Sequence, residues 1–279
     1  TSKVTVIRYM PMSVSETIVL GGWGAIGKRV SDLLAERKSS VKIGAIAVRD
    51  KSGPRDGLPA GAVLIENSAE LAATGASLVV EAAGRPSVLP WGEAALSAGM
   101  DFAVSSTSAF VDDALFQRLK DAASASGAKL IIPPGALGGI DALSAASRLS
   151  IESVEHRIIK PANAWVGTPA AQLVRLDEIS EATVFFTDTA RRAADAFPQN
   201  ANVAVIASLA GIGLDRTRVT LVADPAARLN THEIIAEGDF GRMHLRFENG
   251  PLATNPKSSE MTALGLVRVI ENRVATTVI

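Results

Sequence analysis

The chain has 279 residues, 47% hydrophobic and 20% charged, with a formal net charge of −1. That length and apolar content suit two modest domains with real cores and exclude a largely disordered chain. Near-neutral charge removes any general pull toward nucleic acid or anionic lipid, and the absence of cysteine removes disulfides, thiolate catalysis and Cys-ligated metal sites.

No apolar run approaches the roughly 20 residues that a membrane-spanning helix needs. The expectation is an enzyme with no metal, no membrane and no nucleic-acid partner, cytoplasmic by default. Residues 1–16 (TSKVTVIRYMPMSVSE) lack the basic start, long apolar stretch and small-residue cleavage site of a signal peptide. They read as an extension, loose or a short extra strand, with no function assigned.

From residue 17 the pattern alternates. Thr17–Leu20 is apolar and β-branched and runs into GGWGAIG. Ile26, Val30, Leu33 and Leu34 then fall at helical spacing. Val41–Val48 reads as a buried strand. Further strands are expected at Ala62–Ile65, Leu78–Ala82, Phe102–Ser105 and Lys129–Ile132. Helical stretches lie between them near Glu70–Ala73, Pro86–Ala98 and Asp112–Ala125. Strands alternating with helices imply right-handed crossovers, hence a doubly wound parallel sheet of Rossmann type over 17–133.

Past Pro133-Pro134 the character changes. Helices are expected at Asp141–Ser147, Thr189–Ala196 and Val203–Gly211, and longer alternating strands at Glu152–Ile159, Arg218–Ala223, Glu233–Glu237 and Met243–Glu248. Gly238-Asp239 and Asn249-Gly250 fit hairpin turns. This predicts a second, mixed α/β domain over 134–257 with a largely antiparallel sheet. A last helix, within 258–279, is expected to pack back on the first domain.

The segment Gly22-Trp23-Gly24-Ala25-Ile26-Gly27 is G-x-G-x-x-G between a strand and an amphipathic helix. Gly22 permits the tight turn, Gly24 the close approach of a pyrophosphate, and Gly27 the packing of helix on strand. The backbone of Ala25 and Ile26 opens the helix, whose free N–H groups and dipole favour phosphates. The expected cofactor is NAD or NADP. At the end of the second strand, Asp50 suits the ribose hydroxyls of NAD and Arg49 the extra phosphate of NADP. Both are present, so NAD is expected with NADP tolerated. Gly84 and Arg85 end the next central strand and belong beside the cofactor, as does Ser105-Ser106-Thr107.

Three histidines are available to move protons near neutral pH: His156, His232 and His244. His156 and His244 sit inside alternating strand patterns and read as structural or solvent-facing. His232 stands after a polar turn at the start of a strand, a strand-edge position that can face an interdomain cleft. The amide run in Phe197–Asn202 suits either a carboxamide or a helix cap. In Asn255–Ser259, Lys257 can bind a carboxylate and Ser258 can cap the following helix.

These segments together resemble the L-aspartate dehydrogenase family. The matching residues are GWGAIGKRV, PPGALGGIDAL (Pro133–Leu143), AWVGTPA (Ala164–Ala170), AFPQNANVA (Ala196–Ala204), LDRTRVTLVADP (Leu214–Pro225), NTHEI (Asn230–Ile234) and TNPKSS (Thr254–Ser259), in the family's order. The resemblance implies reversible oxidative deamination of L-aspartate to iminoaspartate, then oxaloacetate and ammonia, with pyridine-nucleotide biosynthesis as one destination. It implies His232 as the active-site histidine, Ala136 and Asn202 as cofactor contacts, and a homodimer joined through the second domain. A dicarboxylate needs cations, for which Lys160 and Lys257 are candidates and Arg85 a third. The alternatives are a homoserine- or sugar-type dehydrogenase on the same fold, or a non-catalytic nucleotide sensor.

Overall fold

The computed structural model describes residues 16–278. The first half carries β1 (Thr17–Gly21), α1 (Ala25–Glu36), β2 (Lys42–Ala47), β3 (Val63–Ile65), β4 (Leu78–Glu81), α2 (Val88–Ser97), β5 (Asp101–Val104), α3 (Asp113–Ser126) and β6 (Leu130–Ile131). The six strands form one parallel sheet in the order β3-β2-β1-β4-β5-β6. The order reverses between β1 and β4, and a crevice opens there beyond the strand ends. Ile18, Val19, Leu20, Leu78, Val79 and Val80 are all fully buried, as a sheet covered on both faces requires. Residues 68–74 form a 3-10 turn where a helix was expected; Asn67 and Glu70 close a capping box on it.

The second half carries α4 (Ile140–Ala146), β7 (Ile151–Lys160), α5 (Ala170–Leu173), β8 (Thr183–Thr189), α6 (Ala190–Ala196), α7 (Ala201–Ala210), β9 (Arg218–Ala223), β10 (Asn230–Gly238), β11 (Gly241–Asn249), β12 (Pro251–Leu252), β13 (Asn255–Ser259) and α8 (Glu260–Glu271). Five of these strands make a mixed sheet, β11-β10-β7-β9-β8, antiparallel except for the β7–β9 pair. Helix α7, ANVAVIASLA, is apolar nearly all round and buries Ala201, Ala204, Val205, Ile206, Ala207 and Ser208. A helix of that kind belongs in an interior. Val205 packs into the same core as Phe110 of the first sheet's domain, while Ile206 packs with Leu143 and Ile234.

Three expectations need correcting. β8 was not foreseen: its side chains are half-buried or exposed, so TVFFTDT shows little alternation, and it pairs on one side only. Asn249-Gly250 does not close a hairpin between paired strands; β12 pairs with β13 instead, in a separate small sheet. β10 begins at Asn230 and pairs with both β11 and β7, so His232 lies inside a central strand, not at a strand edge. The apolar side of α8 (Ala263, Leu266, Val267, Ile270) shares a core with Val30, Leu33 and Leu34 of α1. An Arg29–Glu260 ion pair of 2.6 Å joins the same two helices.

Candidate active site

The glycine turn is shaped by what its glycines would touch if they had side chains. Gly22 has φ +98°, and a Cβ there would sit 2.7 Å from the Ala82 carbonyl oxygen. Its N–H donates to the Ala47 carbonyl at 2.8 Å. A Cβ on Gly27 would meet the Gly22 carbonyl at 2.2 Å. Gly24 is different: a Cβ there would meet no protein atom within 4 Å. Its bare side opens into a cavity of about 630 Å³ lined by Gly22, Trp23, Arg49, Asp50, Arg55 and Ala82, among others. Gly24 is also the N-cap of α1, extended and with no side-chain cap bond, so no side-chain cap stands between the helix N-terminus and a ligand. The cradle fits a dinucleotide: a diphosphate can occupy the space that any larger residue 24 would take.

Arg49 and Asp50 line the mouth of this cavity and are exposed. The Asp50 carboxylate accepts from the Ser52 N–H at 2.8 Å and the Ser52 hydroxyl at 2.7 Å. These bonds, the backbone one first, lower its pKa. Arg55, which sequence reasoning passed over, donates to the Gly53 carbonyl at 2.8 Å and to the Asp50 backbone carbonyl. The end of β2 therefore offers both a carboxylate, which suits ribose hydroxyls, and guanidinium groups, which suit a phosphate.

Glu81 is the second residue that the sequence did not signal. It ends β4 only 1% exposed. Its carboxylate accepts from the N–H groups of Ala83 and Gly84 and from the Ser87 hydroxyl. It accepts again from the N–H and hydroxyl of Ser106. A buried carboxylate stands only when so satisfied. Here it knots together the loops after β4 and β5, and so sets Gly84 (φ +111°), Ser105 and Ser106 along the crevice.

A second cavity, about 380 Å³, adjoins the first through Ala82 and Ala83. Ala25, Ile26, Gly84 and Ser106 line it from the nucleotide side. Ala136, Lys160, Asn202 and His232 line it from the second domain, with Asn255, Ser258, Ser259 and Thr262 closing a third side. The two halves are tied here. The Asn202 side-chain oxygen accepts from the Ser108 N–H at 2.8 Å, and its carbonyl from the Thr107 hydroxyl at 2.9 Å. Within the second domain, the Asn249 amide donates to the Ala136 carbonyl at 2.8 Å.

His232 is 5% exposed. Burial first, then His156 and the Lys160 ammonium, hold it well below the ordinary imidazole range. His156, expected to be structural or solvent-facing, is fully buried, and its Nε2 lies 3.2 Å from His232 Nδ1. Lys160 ends β7 with its Nζ 4.9 Å from the centroid of the buried Trp165 ring, a cation–π contact. Burial lowers its pKa to about 8.

The remaining candidates divide. Arg85 is exposed and absent from the lining of either cavity, as is the exposed His244. Lys257 lies on β13, and its side chain falls outside the described residues. The cap of α8 is Ser259, which accepts from the Met261 N–H, and not Ser258, whose hydroxyl accepts from the Asn255 amide. Asn200 precedes α7 without capping it.

Two family models match the chain. Residues 22–133 match the NAD-binding domain of homoserine dehydrogenase, and residues 141–273 match the C-terminal domain of aspartate dehydrogenase. An L-aspartate dehydrogenase of Brucella anthropi is 92% identical over 268 residues, covering 96% of this chain and all of the relative. The chain belongs to the L-aspartate dehydrogenase family. A family relative from Pseudomonas aeruginosa is 40% identical over 263 residues, 91% of this chain and 96% of that protein. The crystal structure of aspartate dehydrogenase from Thermotoga maritima superposes with a TM-score of 0.73 at 26% identity, covering 95% of this chain and 99% of that one. The nucleotide-binding fold and the family make the cofactor NAD or NADP. A hyperthermophilic archaeal homoserine dehydrogenase in complex with NADPH shares the fold alone, with a TM-score of 0.61 at 12% identity.

Proposed function

We propose that this chain oxidises L-aspartate to iminoaspartate with NAD or NADP, the imine then taking up water to give oxaloacetate and ammonia. One observation carries the reading: His232 and Lys160 face the cavity whose opposite wall is the start of α1, beside the phosphate turn. NAD or NADP, when bound, would supply the acceptor for the hydride that leaves the substrate α-carbon.

The amine must be neutral before hydride leaves. His232 takes its proton, being held uncharged and buried at the cavity wall. The same imidazole, once charged, returns a proton as water adds and ammonia departs. Lys160 holds a substrate carboxylate, and a bound anion reinforces its positive charge. β13 reaches the cavity through Asn255, Ser258 and Ser259, so Lys257 is the second candidate cation. Asn202 ties the second domain to the loop after β5 of the first, and it lines the cavity together with Ala136.

The test is spectrophotometric. Reduced nicotinamide should appear with L-aspartate and either NAD or NADP, and not with homoserine. Turnover of homoserine without aspartate would replace this reading by a homoserine-type one. Tight cofactor binding with neither activity would leave a nucleotide sensor.

A further inference from the structure

The proton transfer assigned to His232 leaves His156 without a role. The β7–β10 register explains why the two meet. His232 opposes Ile158 and Ile234 opposes His156, so the histidines are diagonal neighbours. Alternate strand residues share a face, which places 156, 158 and 160 of β7 on the same side as 232 and 234 of β10. The two rings lie 5.3 Å apart and are inclined by 43°. The other ring nitrogen of His156, Nδ1, is buried with no hydrogen-bonding partner among the described residues. Whatever His156 does by side-chain hydrogen bonding, it does to His232.

We propose that His156 is a positioning residue: its Nε2 lone pair accepts the Nδ1–H of His232, leaving His232 Nε2 bare as the base. The inference rests on the reading of His232 as the proton-transfer group.

A neutral imidazole carries one hydrogen, and the partner of one nitrogen decides which one keeps it. If Nδ1–H is held by His156, the lone pair stays on Nε2. When His232 gains a proton, its Nδ1–H becomes a charge-assisted donor to the same acceptor. That matters for a ring buried away from water. His156 does not compete for the proton, because burial lowers its pKa to about 3. A neutral acceptor also differs from the carboxylate that commonly orients a catalytic histidine. An anion on this face of β7 would attract the Lys160 ammonium two alternate positions along the strand. A second imidazole orients His232 and leaves that charge for a substrate carboxylate.

The experiment compares His156→Leu and His156→Gln, and reads the histidine tautomers of the cofactor-bound wild type by long-range ¹H–¹⁵N correlation. Leucine removes the acceptor; kcat should fall about 10–100-fold, the usual cost of losing an orienting partner, while the KM for cofactor holds. Glutamine offers its amide oxygen near the lost nitrogen and should recover most of that loss. The spectrum should show His232 protonated at Nδ1. Wild-type kcat in the leucine variant, no recovery with glutamine, or a proton on His232 Nε2 would each overturn the proposal. If the leucine variant fails to fold, the wild-type spectrum decides. Full activity in His232→Ala would instead sink the reading of His232 itself, whereas an inactive His232→Ala beside a fully active His156→Leu would sink only this inference.

Discussion

The phosphate turn and His232, with His156 behind it, belong to opposite walls of connected cavities and are built from opposite materials. The turn is six consecutive residues, 22–27, and its working surface is backbone: N–H groups, a helix end and one side kept bare. The pair is two side chains 76 residues apart, joined by a strand register. A backbone site tolerates only the absence of side chains, so it depends on steric fit. A side-chain site depends on burial, tautomer and neighbouring charge. Substitutions should therefore fail in different ways on the two walls.

The largest separation is expected from His232→Ala. It should lower kcat by about 10²–10⁴-fold, the usual contribution of a proton-transfer group, with NADPH affinity by fluorescence titration unchanged. Retained turnover would remove the histidine wall from the chemistry.

Gly24→Val should do the reverse. Residue 24 meets no protein atom, so the variant should fold normally. Cofactor affinity should drop at least roughly tenfold as the side chain fills the phosphate space. Gly27→Val collides with the Gly22 carbonyl and should cost stability instead, about 1–3 kcal/mol. Equal melting temperatures for the two valine variants would contradict this division.

Glu81→Gln probes the knot behind both walls. An amide places a second donor against groups that all donate, and should cost about 1–3 kcal/mol in chemical denaturation. An unchanged midpoint would show that the loops hold without the carboxylate.

An effect of similar size separates the walls by pH. His156 has a folded pKa of about 3 against an ordinary 6.5. Between these values the unfolded chain binds a proton that the folded chain refuses. Stability is thus complete above pH 6.5 and is lost as pH falls toward 3, by about 1.4 kcal/mol per unit. Denaturation midpoints should fall from pH 7 to pH 5, and His156→Gln should flatten that slope. A slope identical in the variant would refute the buried, neutral His156. The smallest effect is expected at the exposed rim: Arg55→Ala should weaken NADP by less than about tenfold and leave NAD alone. An equal loss for both cofactors would place Arg55 elsewhere than at the extra phosphate.

The G-x-G-x-x-G turn was legible because its spacing is local and each glycine answers a local steric demand. Lys160 and His232 were nameable from their segments, but their meeting in one cavity was not. The sequence left His156 between a structural and a solvent-facing place because alternation along β7 says which residues share a face and not which face is covered. Only α7 and the pairing with β10 decide that. Glu81 carried no signal either, since the five groups that satisfy it come from two loops, one of them 25 residues further along the chain.

From its residues alone, the chain specified a parallel nucleotide-binding sheet, a second mixed sheet and a phosphate turn. Those features follow from periodicity and backbone permission, which act over a few residues. The tertiary structure decided which polar groups are buried together: the carboxylate under the crevice loops, the imidazole behind His232, and the ammonium over Trp165. Their chemistry comes from desolvation and from partners distant in the chain, which no local pattern records.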